Sequence, residues 1–238
     1  RVSSRHRMNI EALFREILQP ALGCTEPVAI ALATAAAVQA SAGWTPTALK
    51  PSLAVDAKEV CAIRLGVSRN IFKNAFAILI PNAGGRKGIV MSAALGVFCD
   101  PCQELSLFRA LAEKDIRAAE ALVKSRRVQV SIIEDAPSDL FIEVEVELKT
   151  RIGSCRIRDG HANIACLKQD GKLIYGCNKT VSGTPTYSPE VAALKGMSIA
   201  QIVDLVEDLP DPVVSLLRDA VEMNLSGCKT GLSHAMGI

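Results

Sequence analysis

Residues 9–19 set Ile10, Leu13, Phe14, Ile17 and Leu18 at helical spacing among charged positions, which predicts a surface helix leading to Pro20. A second helix is expected from about Glu26 to Ala42, stopping at Gly43, a residue suited to the position just past a helix end. Its run "VAIALATAAAVQA" (28–40) is shorter than the roughly 20 residues of a membrane span, mostly alanine, and reads as a buried helix. Farther on, "ALKPSLAVDA" is extended and predicts an early strand, and "VSRNIFKNAF" predicts a short helix. "AILIP" reads as a compact buried strand, followed by the loop "NAGGRKG" and the helical "IVMSAALGVF". Residues 103–126 hold two helices broken near Glu113 to Asp115.

From Val128 the apolar period changes from helical to two. "VQVSII", "LFIEVEVEL" and "SCRIR" alternate as half-buried strands do, and Asp159-Gly160 and Asp170-Gly171 are hairpin signals, so an antiparallel meander is expected. The last 50 residues return to helices in "SPEVAALKG", in "SIAQIVDLVED" with Ser198 as cap, and in "DPVVSLLRDAVEMNLSG", opened by Asp211-Pro212. Helices, then sheet, then helices define an α+β arrangement, an antiparallel sheet packed with helices. No repeat or low-complexity linker divides it, so residues 8–238 are expected to form one α+β region. Met8 is expected to be the native start and residues 1–7 an appended remnant.

Composition narrows the function classes. A chain of 238 residues with 49% hydrophobic and 22% charged residues is globular rather than disordered. A net charge of +2, scattered basic residues and 4% aromatics argue against a nucleic-acid surface. "KSRR" (124–127), the longest basic cluster, reads as a solvated helix end. No signal peptide precedes the amphipathic "MNIEALFREIL", and a cytoplasmic protein is expected. The eight cysteines, at 24, 61, 99, 102, 155, 166, 177 and 228, are too dispersed for a disulfide framework and are read as reduced thiols. "CDPC" (99–102) has no second pair at zinc spacing and reads as a turn rather than a metal site.

One cysteine stands apart. In "ALGCTEP" (21–27), Thr25 can cap the following helix, Glu26 complements its dipole, and Pro27 sits in the first turn where a missing N–H costs nothing. Cys24 therefore lies at a helix N-terminus, where free N–H groups lower a thiol pKa. The expectation is a depressed pKa and the fastest alkylation of the eight thiols, with Glu26 opposing this if its carboxylate points at the sulfur. Two loops could also carry chemistry. "PNAGGRKG" (81–88) offers glycines and cations for an anion nest, or a plain turn, and its spacing is neither a Walker loop nor GxGxxG. "RDGHANI" (158–164) puts His161 just past a hairpin turn with Asn163 on the same strand face.

These segments together carry a resemblance. "PALGCTEPVAIALA" (20–33), "NIFKNAF…IPNAGG…G…SAALG" (70–96) and "GHANI" (160–164) resemble, in this order, the PLP-independent, iron–sulfur L-cysteine desulfidases and serine-dehydratase-like (UPF0597) proteins. The likeness runs over nearly the whole chain from Met8 but only over the N-terminal half of the family's length. It implies a fold like the β-type domain of iron–sulfur L-serine dehydratases. It also implies a lyase of amino-acid catabolism that converts L-cysteine to pyruvate, ammonia and sulfide. The resemblance makes Cys24 the catalytic general base and Thr25, Glu26, Asn74, His161 and Asn163 substrate-pocket residues. It implies a [4Fe–4S] cluster held by cysteines of the C-terminal α-type half or subunit, no metal ligand in this chain, and no PLP. The expected partners are a small amino acid, that other half, and a second copy in a homodimer, with no nucleic acid and no membrane. Alone, the chain is not expected to turn over substrate. A serine dehydratase relative and a non-catalytic amino-acid-sensing domain stay open as alternatives.

Overall fold

The structure, a computed structural model, describes residues 9–18, 23–47, 51, 53–176 and 189–233. The expected start at Met8, the break at Pro20 and Cys177 lie outside the described residues. The chain separates into two compact units, Ala21–Ser182 and Arg1–Pro20 with Gly183–Ile238. The fold is α+β, a mostly antiparallel six-stranded sheet packed with helices.

The larger unit is organised by a buried helix. Helix α1 (Ile10–Ile17) belongs to the smaller unit; α2 (Thr25–Ala40) opens the larger one. Alanine has the highest helix propensity, and fourteen of the sixteen α2 residues are buried, so the helix has no polar face to turn toward water. It packs on one face of the sheet and against α4 (Ile89–Gly96). Gly96 and Gly153 make this approach tight: a Cβ at either would run into the α2 backbone, at Ala31 and Ala37 respectively.

The sheet consists of β1 (Val60–Val67), β2 (Val128–Ile132), β3 (Phe141–Leu148), β4 (Ile152–Arg158), β5 (Ile164–Gln169) and β6 (Lys172–Gly176). Its spatial order is β2-β1-β3-β4-β5-β6. The strands β3 to β6 form the expected antiparallel meander. Asp159, Asp170 and Gly171 all have positive φ, as the Asp-Gly hairpin signals require. In β3, Ile142, Val144, Val146 and Leu148 enter the core while Glu143, Glu145 and Glu147 face outward. There Arg64 of β1 bonds Glu145 and Glu147 at 2.8 and 2.7 Å, and Arg156 of β4 bonds Glu143 at 2.8 Å. The period-two pattern thus separates an apolar face under α2 from a face tied by cross-strand ion pairs.

Three expectations need correction. The early strand is β1, over Val60–Val67, not "ALKPSLAVDA": residues 53–56 form no strand, and Asp56 caps a 3₁₀ turn at Ala57–Glu59. Strand β2 is not part of the meander; it pairs in parallel with β1 at the sheet edge. "AILIP" is not a buried strand: Ala77, Ile78 and Leu79 are exposed, and the segment makes only a single bridge, Leu79 with Lys87. Along the chain between β1 and β2 lie also α3 (Arg69–Ala75), a 3₁₀ segment at Pro101–Ala110 and α5 (Glu113–Lys124), the break falling at residues 111–112.

The smaller unit contains α1, α6 (Pro189–Lys195), α7 (Ile199–Glu207) and α8 (Asp211–Ser233). Ser198 caps α7 as expected, accepting from Gln201 N–H at 3.3 Å while the Gln201 side chain accepts from Ser198 N–H at 2.9 Å. Asp211 and Pro212 open α8. Among the described residues no helix is long and apolar enough to cross a membrane.

Candidate active site

Four elements of the larger unit meet at the N-terminus of α2. Gly23 turns the chain with φ +80°, and a Cβ there would stand 2.8 Å from Cγ of Pro81, so the approach to α2 lies against the 81–88 loop. Cys24 follows as the N-cap, with extended backbone at φ −67° and ψ 133°. The expected cap, Thr25, is instead the first helical residue, because the chain enters helical geometry one residue earlier than its hydroxyl suggested.

Glu26 is the centre of the cluster. The Cys24 thiol donates to its Oε2 at 2.8 Å, and Asn74 Nδ2 donates to its Oε1 at 3.0 Å. Asn74 arrives there because Ser68 caps α3 directly after β1, which sets the last turn of α3 beside the start of α2. His161, half-buried, lies near enough for its ring and the Glu26 carboxylate to shift each other's proton affinity. All three segments that carry the family resemblance therefore converge on one carboxylate.

The electrostatics overturn one expectation. Burial pushes the Cys24 thiol above its ordinary range, and the hydrogen bond to Glu26 and the charge of that carboxylate push it further up. The backbone N–H groups of Glu26 and Thr25 pull the other way, as a helix N-terminus should, but they are outweighed. The resting pair is thus a thiol and a carboxylate, not a free thiolate. Burial would raise Glu26, yet the hydrogen bonds from Cys24 and Asn74 and the nearby His161 together hold it below the usual carboxylate range. Burial lowers His161 against the pull of Glu26, leaving the imidazole mostly neutral at pH 7.

Asn163 has a different place from the one its spacing suggested. His161 sits inside the turn and β5 begins only at Ile164, so the two residues do not share a strand face. Asn163 Nδ2 donates to Arg158 O at 2.8 Å and its N–H to Gly160 O at 3.0 Å, so it locks the turn that presents His161. Thr25 contributes a backbone N–H directed at the Cys24 sulfur.

The other candidates separate from this site. In the 81–88 loop, N–H groups of Ala83, Arg86 and Gly88 bond carbonyls of the same hairpin, and Arg86 is held by Glu120 at 2.9 Å and Gly84 O at 2.8 Å. The loop is a self-satisfied turn rather than an anion nest. Of the CDPC pair, Cys99 is buried, bonds Leu95 O at 3.3 Å and is pushed by burial up to about 12, while Cys102 is exposed. Among the described residues no three His, Cys, Asp or Glu side chains come together to hold a metal ion, so these residues do not fit an iron–sulfur cluster.

The fold and site thus define an α+β protein whose acid–base cluster is built at the start of a buried alanine-rich helix. Known sequences agree on what such a chain is. It is 32% identical over 213 residues to a UPF0597 protein of Geobacter sulfurreducens, covering 89% of this chain and 46% of that protein. It is 30% identical over 224 residues to the UPF0597 protein of Desulfatibacillum aliphaticivorans, and 29% over 231 residues to that of Clostridioides difficile. No family model matches the chain. The chain belongs to the UPF0597 family and spans about half the length of the curated relatives it matches.

Proposed function

We propose that this chain is the N-terminal part of an iron–sulfur, PLP-independent L-cysteine desulfidase, a carbon–sulfur lyase yielding pyruvate, ammonia and sulfide. The observation that supports the reading is the Cys24–Glu26 pair at 2.8 Å, tied to Asn74 and facing His161. The reaction needs a base for the Cα proton of the substrate. Proton transfer from Sγ to Oε2 along the existing hydrogen bond converts Cys24 to a thiolate and Glu26 to its acid. The ammonium group of an amino acid entering beside the sulfur stabilises that thiolate. The thiolate then takes the Cα proton, and the electron pair left on carbon expels the β-sulfur as sulfide. The resulting aminoacrylate hydrolyses to pyruvate and ammonia.

Asn74 holds the carboxylate in place from its other oxygen, and neutral His161 adds a hydrogen-bonding wall without a competing charge. A [4Fe–4S] cluster is expected from the remaining half of the protein, where it supplies Lewis acidity toward the leaving group.

The test is sulfide release by the family-length protein that contains this chain. The reading predicts turnover of L-cysteine in preference to L-serine, and a loss of ~10²–10⁴-fold in Cys24→Ser, as is typical when a general base is removed. Preference for L-serine would make the protein a serine dehydratase. Full activity in Cys24→Ser would remove Cys24 from the chemistry.

A further inference from the structure

The segment Phe76–Ala77–Ile78–Leu79 is exposed at all four positions. Phe76 is 60% exposed, Leu79 49% and Ile78 38%, an unbroken apolar run that a folded surface does not ordinarily present. It is not a frayed loop. Leu79 bridges Lys87, Ile80 N–H bonds Arg86 O, Gly88 N–H bonds Ile78 O, and the Phe76 ring lies 5.5 Å from that of Phe72. The local backbone therefore holds these side chains outward in a fixed arrangement.

We propose that this surface seats the other half of the family-length UPF0597 protein. Two observations select that occupant. The matched relatives extend for about as much sequence again as this chain covers, so in proteins of that length a further region of similar size has to be accommodated. The run also begins two residues after Asn74, which holds Glu26, so a body seated on it walls the acid–base cluster. Lys73 and Lys87 flank the patch, exposed and without an ion pair among the described residues. The complementary surface is accordingly apolar at its centre with carboxylates at its rim. The inference rests on family membership and on the patch, and it holds whichever amino acid the protein acts on.

Hydrogen exchange on the 238-residue chain alone and joined to the other half reads the surface directly. Amides of residues 76–80 should slow at least ~10-fold in the joined protein, the scale of burying a large apolar side chain. With the halves produced separately, Phe76→Ser with Leu79→Ser should weaken their association about 10–100-fold, since exposed apolar anchors at an interface carry much of its affinity. Both positions are exposed, so the melting of the 238-residue chain should be nearly unchanged. The proposal is overturned if residues 76–80 exchange equally in both proteins, or if the double variant associates normally. It is also overturned if the chain alone dimerises through this segment, which would make a second copy the occupant.

Discussion

Replacing Gly23 by alanine should destabilise the larger unit more than the same change at Gly171, and the difference measures how firmly the Cys24 approach is held. Both glycines have φ near +80°, at 80° and 79°, so both variants suffer the cost of a Cβ in left-handed backbone, roughly 1–2 kcal/mol. At Gly171 nothing lies within 4 Å of the added Cβ, and that cost stands alone. At Gly23 the Cβ would sit 2.8 Å from Pro81 Cγ, an overlap that forces the 81–88 loop or the α2 approach to shift. Overpacking of this kind adds typically ~1–3 kcal/mol, for a total of about 2–5 kcal/mol. For a unit of this size each kcal/mol lowers Tm by roughly 2–4 °C. Gly171→Ala should therefore lose roughly 2–8 °C and Gly23→Ala roughly 4–20 °C by the same arithmetic. Thermal melts followed by near-ultraviolet circular dichroism read both. Equal losses in the two variants would refute the packing of Gly23 on Pro81.

Two further predictions concern the thiol and the carboxylate. In limited iodoacetamide labelling mapped by mass spectrometry, exposed Cys61 and Cys228 should react before Cys24, and buried Cys99 and Cys155 last; Glu26→Gln should then speed Cys24 labelling at constant pH, because it removes the carboxylate that retains the proton on sulfur. Glu26 is held below its ordinary 4.5 and His161 below its ordinary 6.5, so both contributions are present at neutral pH. Stability should fall as pH drops below about 6.5, where the unfolded His161 gains a proton that the folded ring resists, and again as Glu26 protonates in the fold. His161→Gln should flatten the upper part of that acid loss and Glu26→Gln the lower part; parallel curves for all three proteins would contradict the assignment.

Much of this fold was legible because periodicity reports burial. The β3 alternation, the Asp-Gly turns and the Ser198 cap act locally, and each appears where its residues predict. Helix α2 was legible for a different reason, since an alanine-rich run apolar on every side has only the interior to occupy. Strand β1 was missed because "VCAIRLGV" mixes Cys61 and Arg64 into an apolar run, and its place as the second strand depends on pairing with residues more than sixty positions away. "AILIP" misled for the opposite reason, because its composition is that of a core strand while Ala77, Ile78 and Leu79 face outward and only Ile80 is buried.

At the site, sequence identified the helix terminus and named Glu26 as the group that would oppose a thiolate, but left open whether its carboxylate points at the sulfur. The N–H groups that favour a thiolate are present, yet burial of the sulfur, together with a carboxylate two residues on that reaches back to 2.8 Å, outweighs them. The spacing Cys-x-Glu permitted that contact without requiring it. Asn74 and His161 could be placed beside Glu26 only by tertiary structure, since one is brought by α3 and the other by the β4–β5 turn. The locking role of Asn163 is a turn interaction that Asn at this position can supply on its own.

The central claim is that Cys24, relayed through Glu26, removes the Cα proton of the substrate. Its most direct test is loss of deuterium from Cα of L-cysteine to solvent, followed by mass spectrometry in the family-length protein. The wild type should release deuterium at least as fast as it releases sulfide, and Cys24→Ser should slow the release by ~10²–10⁴-fold. Wild-type exchange in Cys24→Ser would contradict the account and transfer the role of base to another group, with His161 the next side chain to test.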